Sequence, residues 1–126
     1  IVMGTKGVSD ITETYVGSNT VQVIEKSDCP VLCVPEKASY KKFRKIIYAT
    51  DYQEEDKKAI SQLLAFATPF QAHVNILHVS HSNKLFEKAV YEDYKNEILT
   101  YINYDDVSFS IQVYEDEINN FDKFIK

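Results

Sequence analysis

Short β-branched apolar runs alternate along this chain with longer amphipathic stretches, and that alternation restricts the fold more than any other feature. The apolar runs are IVM at 1–3, VLCV at 31–34, KIIYAT at 45–50, AHVNILHV at 72–79 and VSFSIQV at 107–113. Each has strand length and ends at a glycine, proline or polar residue. Between them lie helical patterns. TVQVIEKSD at 20–28 opens after Ser18 or Asn19 and stops at Cys29-Pro30. Asp51 can cap a second helix that carries Ile60, Leu63, Leu64 and Ala67 on one face. Residues 82–102 place Phe86, Val90, Tyr94, Leu99 and Ile102 near one stripe, and 117–126 begin a further helix. The order is strand, helix, strand, then strand, helix, strand, helix, strand, helix. It predicts an α/β protein with a parallel five-stranded sheet and helices on its faces.

VLCV and KIIYAT are continuous apolar runs and read as strands buried on both faces. VSFSIQV alternates strictly, with Val107, Phe109, Ile111 and Val113 inward, as a strand wet on one side and near a sheet edge does. Only the step from VLCV to KIIYAT lacks a helix. The polar stretch around KKFRK at 41–45 therefore marks a domain boundary.

Composition narrows the function. The formal net charge is −5 over 126 residues, which opposes binding to a nucleic-acid backbone. No apolar run approaches the ~20 residues of a membrane span. Cys29 and Cys33 stand at C-x3-C, neither a redox nor a zinc spacing, and two such thiols suit a reducing cytoplasm. His73, His78 and His81 cluster without acidic residues at metal-ligand spacing. Ser18, His78 and Asp51 are raw material for a triad, but no G-x-S-x-G is present.

The glycines carry the sharpest signal. The chain has three, Gly4, Gly7 and Gly17, all in its first 17 residues and followed by Ser18. A loop leaving a strand binds phosphate only where backbone N–H groups come close to the anion, and glycine removes the Cβ that blocks that approach. Gly17-Ser18 then opens a helix, whose free amides and positive dipole end favour an anion. The spacing G-x2-G-x9-G-S is neither a P-loop nor the dinucleotide fingerprint.

IVMGTKG, GSNTVQVIEKSDCPVLCVP, KKIIYATD and AHVNILHVSH together resemble the universal stress proteins. The resemblance implies a Rossmann-like, adenine-nucleotide α-hydrolase-like three-layer sandwich with strand order 3-2-1-4-5, usually dimeric. It implies ATP, or AMP or ADP, with Mg as ligand. It assigns the phosphates and ribose to Met3, Gly4, Gly7, Gly17, Ser18 and Asn19. Ala49, Thr50 and Asp51 match the turn that reaches the adenine, and Val79 matches a residue lining the adenine pocket.

The parts stand in permuted order. Residues 1–37 resemble the fourth and fifth strands of one family domain, 38–45 link, and 46–126 resemble the first three strands of a second. A window on the middle of a tandem protein accounts for this. The two portions together hold five strands, and the expectation is that they join in one sheet, within a chain or by exchange between two chains of a homodimer. Asp51 would then face Gly4 and Ser18. The functional expectation is an ATP-binding stress-response protein, not an enzyme beyond slow hydrolysis. The alternative is a protein–protein or dimerisation module of the same fold that does not bind nucleotide.

Overall fold

The computed structural model describes residues 1–5, 17–80 and 85–113. Gly7, His81 and the helix expected at 117–126 lie outside them, as does the side chain of Phe86. The chain divides into two compact units, Ile1–Lys41 and Lys42–Lys126.

In the first unit, strands β1 (Val2–Gly4) and β2 (Leu32–Val34) pair in parallel, with Val2 opposite Leu32, Met3 opposite Cys33 and Gly4 opposite Val34. A parallel pair needs a crossover, and helix α1 (Ser18–Lys26) supplies it. The Gly17 carbonyl accepts the N–H groups of Thr20 and Val21, which closes the first turn. Thr20 is 3 % exposed, and its hydroxyl donates to the Gly4 carbonyl at 3.1 Å, tying α1 to the end of β1. Ser27 takes an extended conformation, φ −86° and ψ 131°, and stops the helix ahead of Pro30.

In the second unit, β3 (Lys45–Ala49), β4 (His73–Ser80) and β5 (Val107–Val113) form a parallel sheet in the order β3-β4-β5. Helix α2 (Asp56–Ala67), followed by a 3-10 turn at Thr68–Phe70, connects the first pair, and α3 (Leu85–Tyr101) connects the second. The core is Ile60, Leu64, Ala67, Ala72, Val74, Ile76, Tyr94 and Ile98, with Ile46, Tyr48, Val107 and Phe109 packed against it. Residues 74 and 76 of β4 point inward while 73 and 75 point outward, as the two-residue period requires.

Several expectations are corrected. Among the described residues the five strands hydrogen-bond as two sheets, β1-β2 in the first unit and β3-β4-β5 in the second. The apolar runs of β1, β2 and β3 are also not buried on both faces. Val2 is 71 % exposed and Ile47 44 %, and Leu32 and Val34 are exposed too, whereas Met3, Cys33, Ile46 and Tyr48 on the opposite faces are half-buried. Every fully buried apolar side chain among the described residues belongs to the second unit. Helix α2 begins at Asp56 after Glu55, so Asp51 does not cap it. Among the described side chains of α3 the buried positions are Tyr94 and Ile98, four residues apart, while Leu99 turns outward.

Candidate functional site

Two groups of residues correspond to the sequence expectations, one in each unit. In the first, β1 ends at Gly4 and α1 begins after Gly17. The Gly17 N–H donates to the Thr5 carbonyl at 2.9 Å, so the two ends of the intervening loop are pinned together. That bond also uses the Gly17 amide. The helix-start amides of Ser18 and Asn19 have no intrahelical partner in any α-helix. Both residues are exposed and Met3 is half-buried. Gly17 has φ −59° and ψ 148°, a conformation any residue adopts. Among the described residues a Cβ built on Gly4 would meet only the Val34 carbonyl, at 3.9 Å. The described fold does not itself require glycine at either position. An open depression of about 450 Å³ runs beside α1, lined by Ile1, Asn19, Gln22, Val23, Lys26 and Ser27. It follows the helix flank and takes in only Asn19 of the proposed contacts.

In the second unit, the carboxyl ends of β3 and β4 bring Ala49, Thr50, Asp51 and Val79 together. Ala49 pairs with Leu77, and the Thr50 N–H donates to the Leu77 carbonyl at 3.0 Å. Ala49, Asp51 and Val79 are exposed there. Thr50 is 8 % exposed and committed to the fold. Its hydroxyl donates to Asp56 Oδ2 at 2.5 Å and accepts the Tyr52 N–H at 2.9 Å. Its carbonyl lies 2.8 Å from His78 Nδ1.

The centre of this end is a carboxylate that was not among the sequence candidates. Asp56 is 6 % exposed and accepts three hydroxyls: Tyr48 at 2.7 Å, Thr50, and Tyr94 at 2.8 Å. Burial raises the pKa of its carboxyl. The hydrogen bonds from Thr50, Tyr48 and Tyr94, with the Gln53 backbone, outweigh that and hold it below the usual value. Burial, and then the bond to this anion, push the Tyr48 phenol well above the ordinary tyrosine range. Burial also raises the Tyr94 phenol; the Thr50 contact opposes this and the Asp56 bond adds to it. A signal was present in the sequence: Asp56 stands four residues before Ile60 and eight before Leu64, on the buried face of α2.

Tyr52 completes the turn in a left-handed conformation, φ 66°. Its ring stacks on His78 with centroids 4.0 Å apart and leans on Tyr94 at 4.9 Å. The β3–α2 turn that presents Asp51 is therefore held by an anion-centred hydroxyl network beneath it and an aromatic stack beside it. Among the described residues no three His, Cys, Asp or Glu side chains cluster to hold a metal, and no helix is long and apolar enough to cross a membrane.

Parallel β-α-β units whose strand carboxyl ends carry the turn and loop residues define the class of open α/β proteins that place ligands at that end. Within that class, the model of the universal stress protein family matches residues 1–35, the β1–α1–β2 segment with its glycine loop. No curated protein and no solved structure matches the chain.

Proposed function

We propose that the chain is built from portions of universal stress protein domains and that its glycine loop binds an adenine nucleotide, ATP, ADP or AMP with Mg, in a stress-response role. The observation that carries this reading is Gly4. Among the described residues a side chain there would meet only the Val34 carbonyl at 3.9 Å, so their packing gives no reason for glycine. Close approach of a phosphate does. The family match falls on the same segment, residues 1–35. The Ser18 and Asn19 amides at the start of α1 are the anion donors, and Met3, Gly7 and Gly17 shape the loop. In the second unit Ala49, Asp51 and Val79 take the base-side role, with Thr50 holding the turn. The protein is read as a binder rather than an enzyme. Its two free thiols, Cys29 and Cys33, fit the reducing cytoplasm.

The exposed apolar residues of β1 and β2 favour a second element of the reading. The described elements of the first unit, two three-residue parallel strands and one nine-residue helix, are too few to be stable alone. Val2, Leu32 and Val34 remain exposed on one face. Pairing of β1 with β3 of a second copy would complete a five-stranded parallel sheet and make the protein a strand-exchanged dimer. If nucleotide binding fails while dimerisation holds, the module is an assembly domain.

The test is mass spectrometry of the denatured, purified protein for released nucleotide, with thermal shift on added ATP. Saturating ligand at about 100 times Kd adds about 2.7 kcal/mol. Gly4→Val and Gly17→Val are expected to fold and to lose the shift. Tight ATP binding that survives both changes overturns the loop assignment.

A further inference from the structure

A second constellation lies at the opposite, amino end of the β4–β5 pair, on the sheet face away from the core. His73 opens β4 and Asp106 immediately precedes β5. The Asp106 carboxylate lies 2.7 Å from His73 Nδ1, and His73 Nε2 lies 2.8 Å from the Ser108 hydroxyl. Backbone bonds fix the three. The His73 N–H donates to the Arg44 carbonyl at 2.9 Å and the Val74 N–H to the Asp106 carbonyl at 3.0 Å. Asn75, two residues beyond His73 on the same face, stands opposite Ser108 in the parallel register. Its Oδ1 accepts the Ser110 hydroxyl at 3.1 Å and lies 3.2 Å from the Ser108 hydroxyl, whose single proton goes either to Asn75 or to His73 Nε2. The side chains of His73 and Asp106 are 35 % and 63 % exposed, so solvent and small molecules reach the relay.

Such an order of groups has a chemical meaning. With Nδ1–H donated to Asp106, neutral His73 presents Nε2 as an acceptor, and Ser108 O–H is the donor it meets. A carboxylate that fixes the tautomer, an imidazole base and a hydroxyl in hydrogen-bond reach are the requirements for an activated serine. Ser108 is neither in the glycine loop nor at the strand end discussed above, and it was not among the sequence candidates.

We propose that Asp106, His73 and Ser108 form a relay that makes Ser108 a nucleophile toward small activated acyl esters. Ser108 Oγ attacks the ester carbonyl carbon while its proton passes to His73 Nε2. The carbonyl oxygen takes the negative charge, and the side-chain N–H groups of Asn75 are the nearby donors to it. On collapse the C–O bond to the leaving group breaks, the leaving oxygen takes the proton from His73, and acyl-Ser108 remains. Water, deprotonated by His73, then releases the carboxylic acid and restores the serine. Asp106 is a positioning residue, holding the imidazole tautomer and orientation.

Ser110 supplies an internal reference: it shares strand, face and the Asn75 contact with Ser108 but carries no histidine bond. The full chain is treated with an alkyl fluorophosphonate, whose fluoride a serine oxygen displaces, and adducts are followed by peptide mass spectrometry. Ser108 is expected to label at least about a hundredfold faster than Ser110, the low side of general-base assistance. p-Nitrophenyl acetate should acylate the same residue. His73→Ala should bring the two serines to the same rate, with added imidazole restoring the difference. Asp106→Asn should slow Ser108 alone, and Asp106→Glu should recover it. Equal labelling of Ser108 and Ser110 in the unaltered chain overturns the proposal, whatever the variants do.

Discussion

Replacing Asp56 is the most searching test of the second unit. Its two oxygens receive three hydroxyls, Oδ1 from Tyr48 and Oδ2 from both Thr50 and Tyr94. Asp56→Asn keeps the shape but leaves one acceptor oxygen and removes the charge. Hydrogen bonds to a charged acceptor contribute about 1.5–3 kcal/mol and neutral ones about 0.5–1.5, so three bonds lose roughly 3 kcal/mol together. Relief from burying a charge offsets part of that, and the expected net loss is about 2 kcal/mol. Asp56→Ala is worse. Thr50 can still reach the Tyr94 oxygen, 3.1 Å away, but the remaining hydroxyls lose their acceptor. A loss of about 3–5 kcal/mol is expected, as for a broken buried polar cluster. The pH dependence follows from the direction of the shift. The folded carboxyl has its pKa below the unfolded value, so its contribution is complete above about pH 4–5 and disappears as pH falls through the folded pKa. Urea denaturation at neutral pH and near pH 3 should therefore show the gap between parent and Asp56→Asn closing with acid. Equal stabilities at neutral pH, or a gap unchanged down to about pH 2, would refute the anion-centred account of this turn.

Further outcomes follow from the same structure. Spectrophotometric titration should leave Tyr48 and Tyr94 un-ionised through the normal tyrosine range, because burial and the Asp56 anion disfavour their phenolates. Ile98→Ala should cost about 2–5 kcal/mol in chemical denaturation and Leu99→Ala much less, since the first is fully buried and the second 44 % exposed. Gln71, exposed and at φ 52° behind the 3-10 turn, should yield a protein roughly 0.5–1 kcal/mol more stable as Gln71→Gly, read as a higher urea midpoint.

Much of the second unit was legible because each of its elements has a clear period. Ile60, Leu64 and Ala67 repeat at helical spacing and form the buried face of α2. Val107 and Phe109 alternate, and both pack on the core from an edge strand. The candidate sites were less legible. Thr50 was chosen as a ligand contact, yet its hydroxyl is held by Asp56 and Tyr52. Asp56 was not among the candidates, although it stands four residues before Ile60 on the buried face of α2. His73 lies more than thirty residues from Asp106 and Ser108, and no local pattern joins it to them.

The order of the described elements and the parallel sense of their strands were determined by the sequence alone, because local periodicity acts within a few residues. Only the tertiary structure decided which strands share a sheet, which face of each apolar run meets solvent, and which polar side chains meet. Those depend on hydrogen-bond registers and packing between segments distant along the chain, where a carboxylate becomes stable in the interior only because three hydroxyls from other elements converge on it.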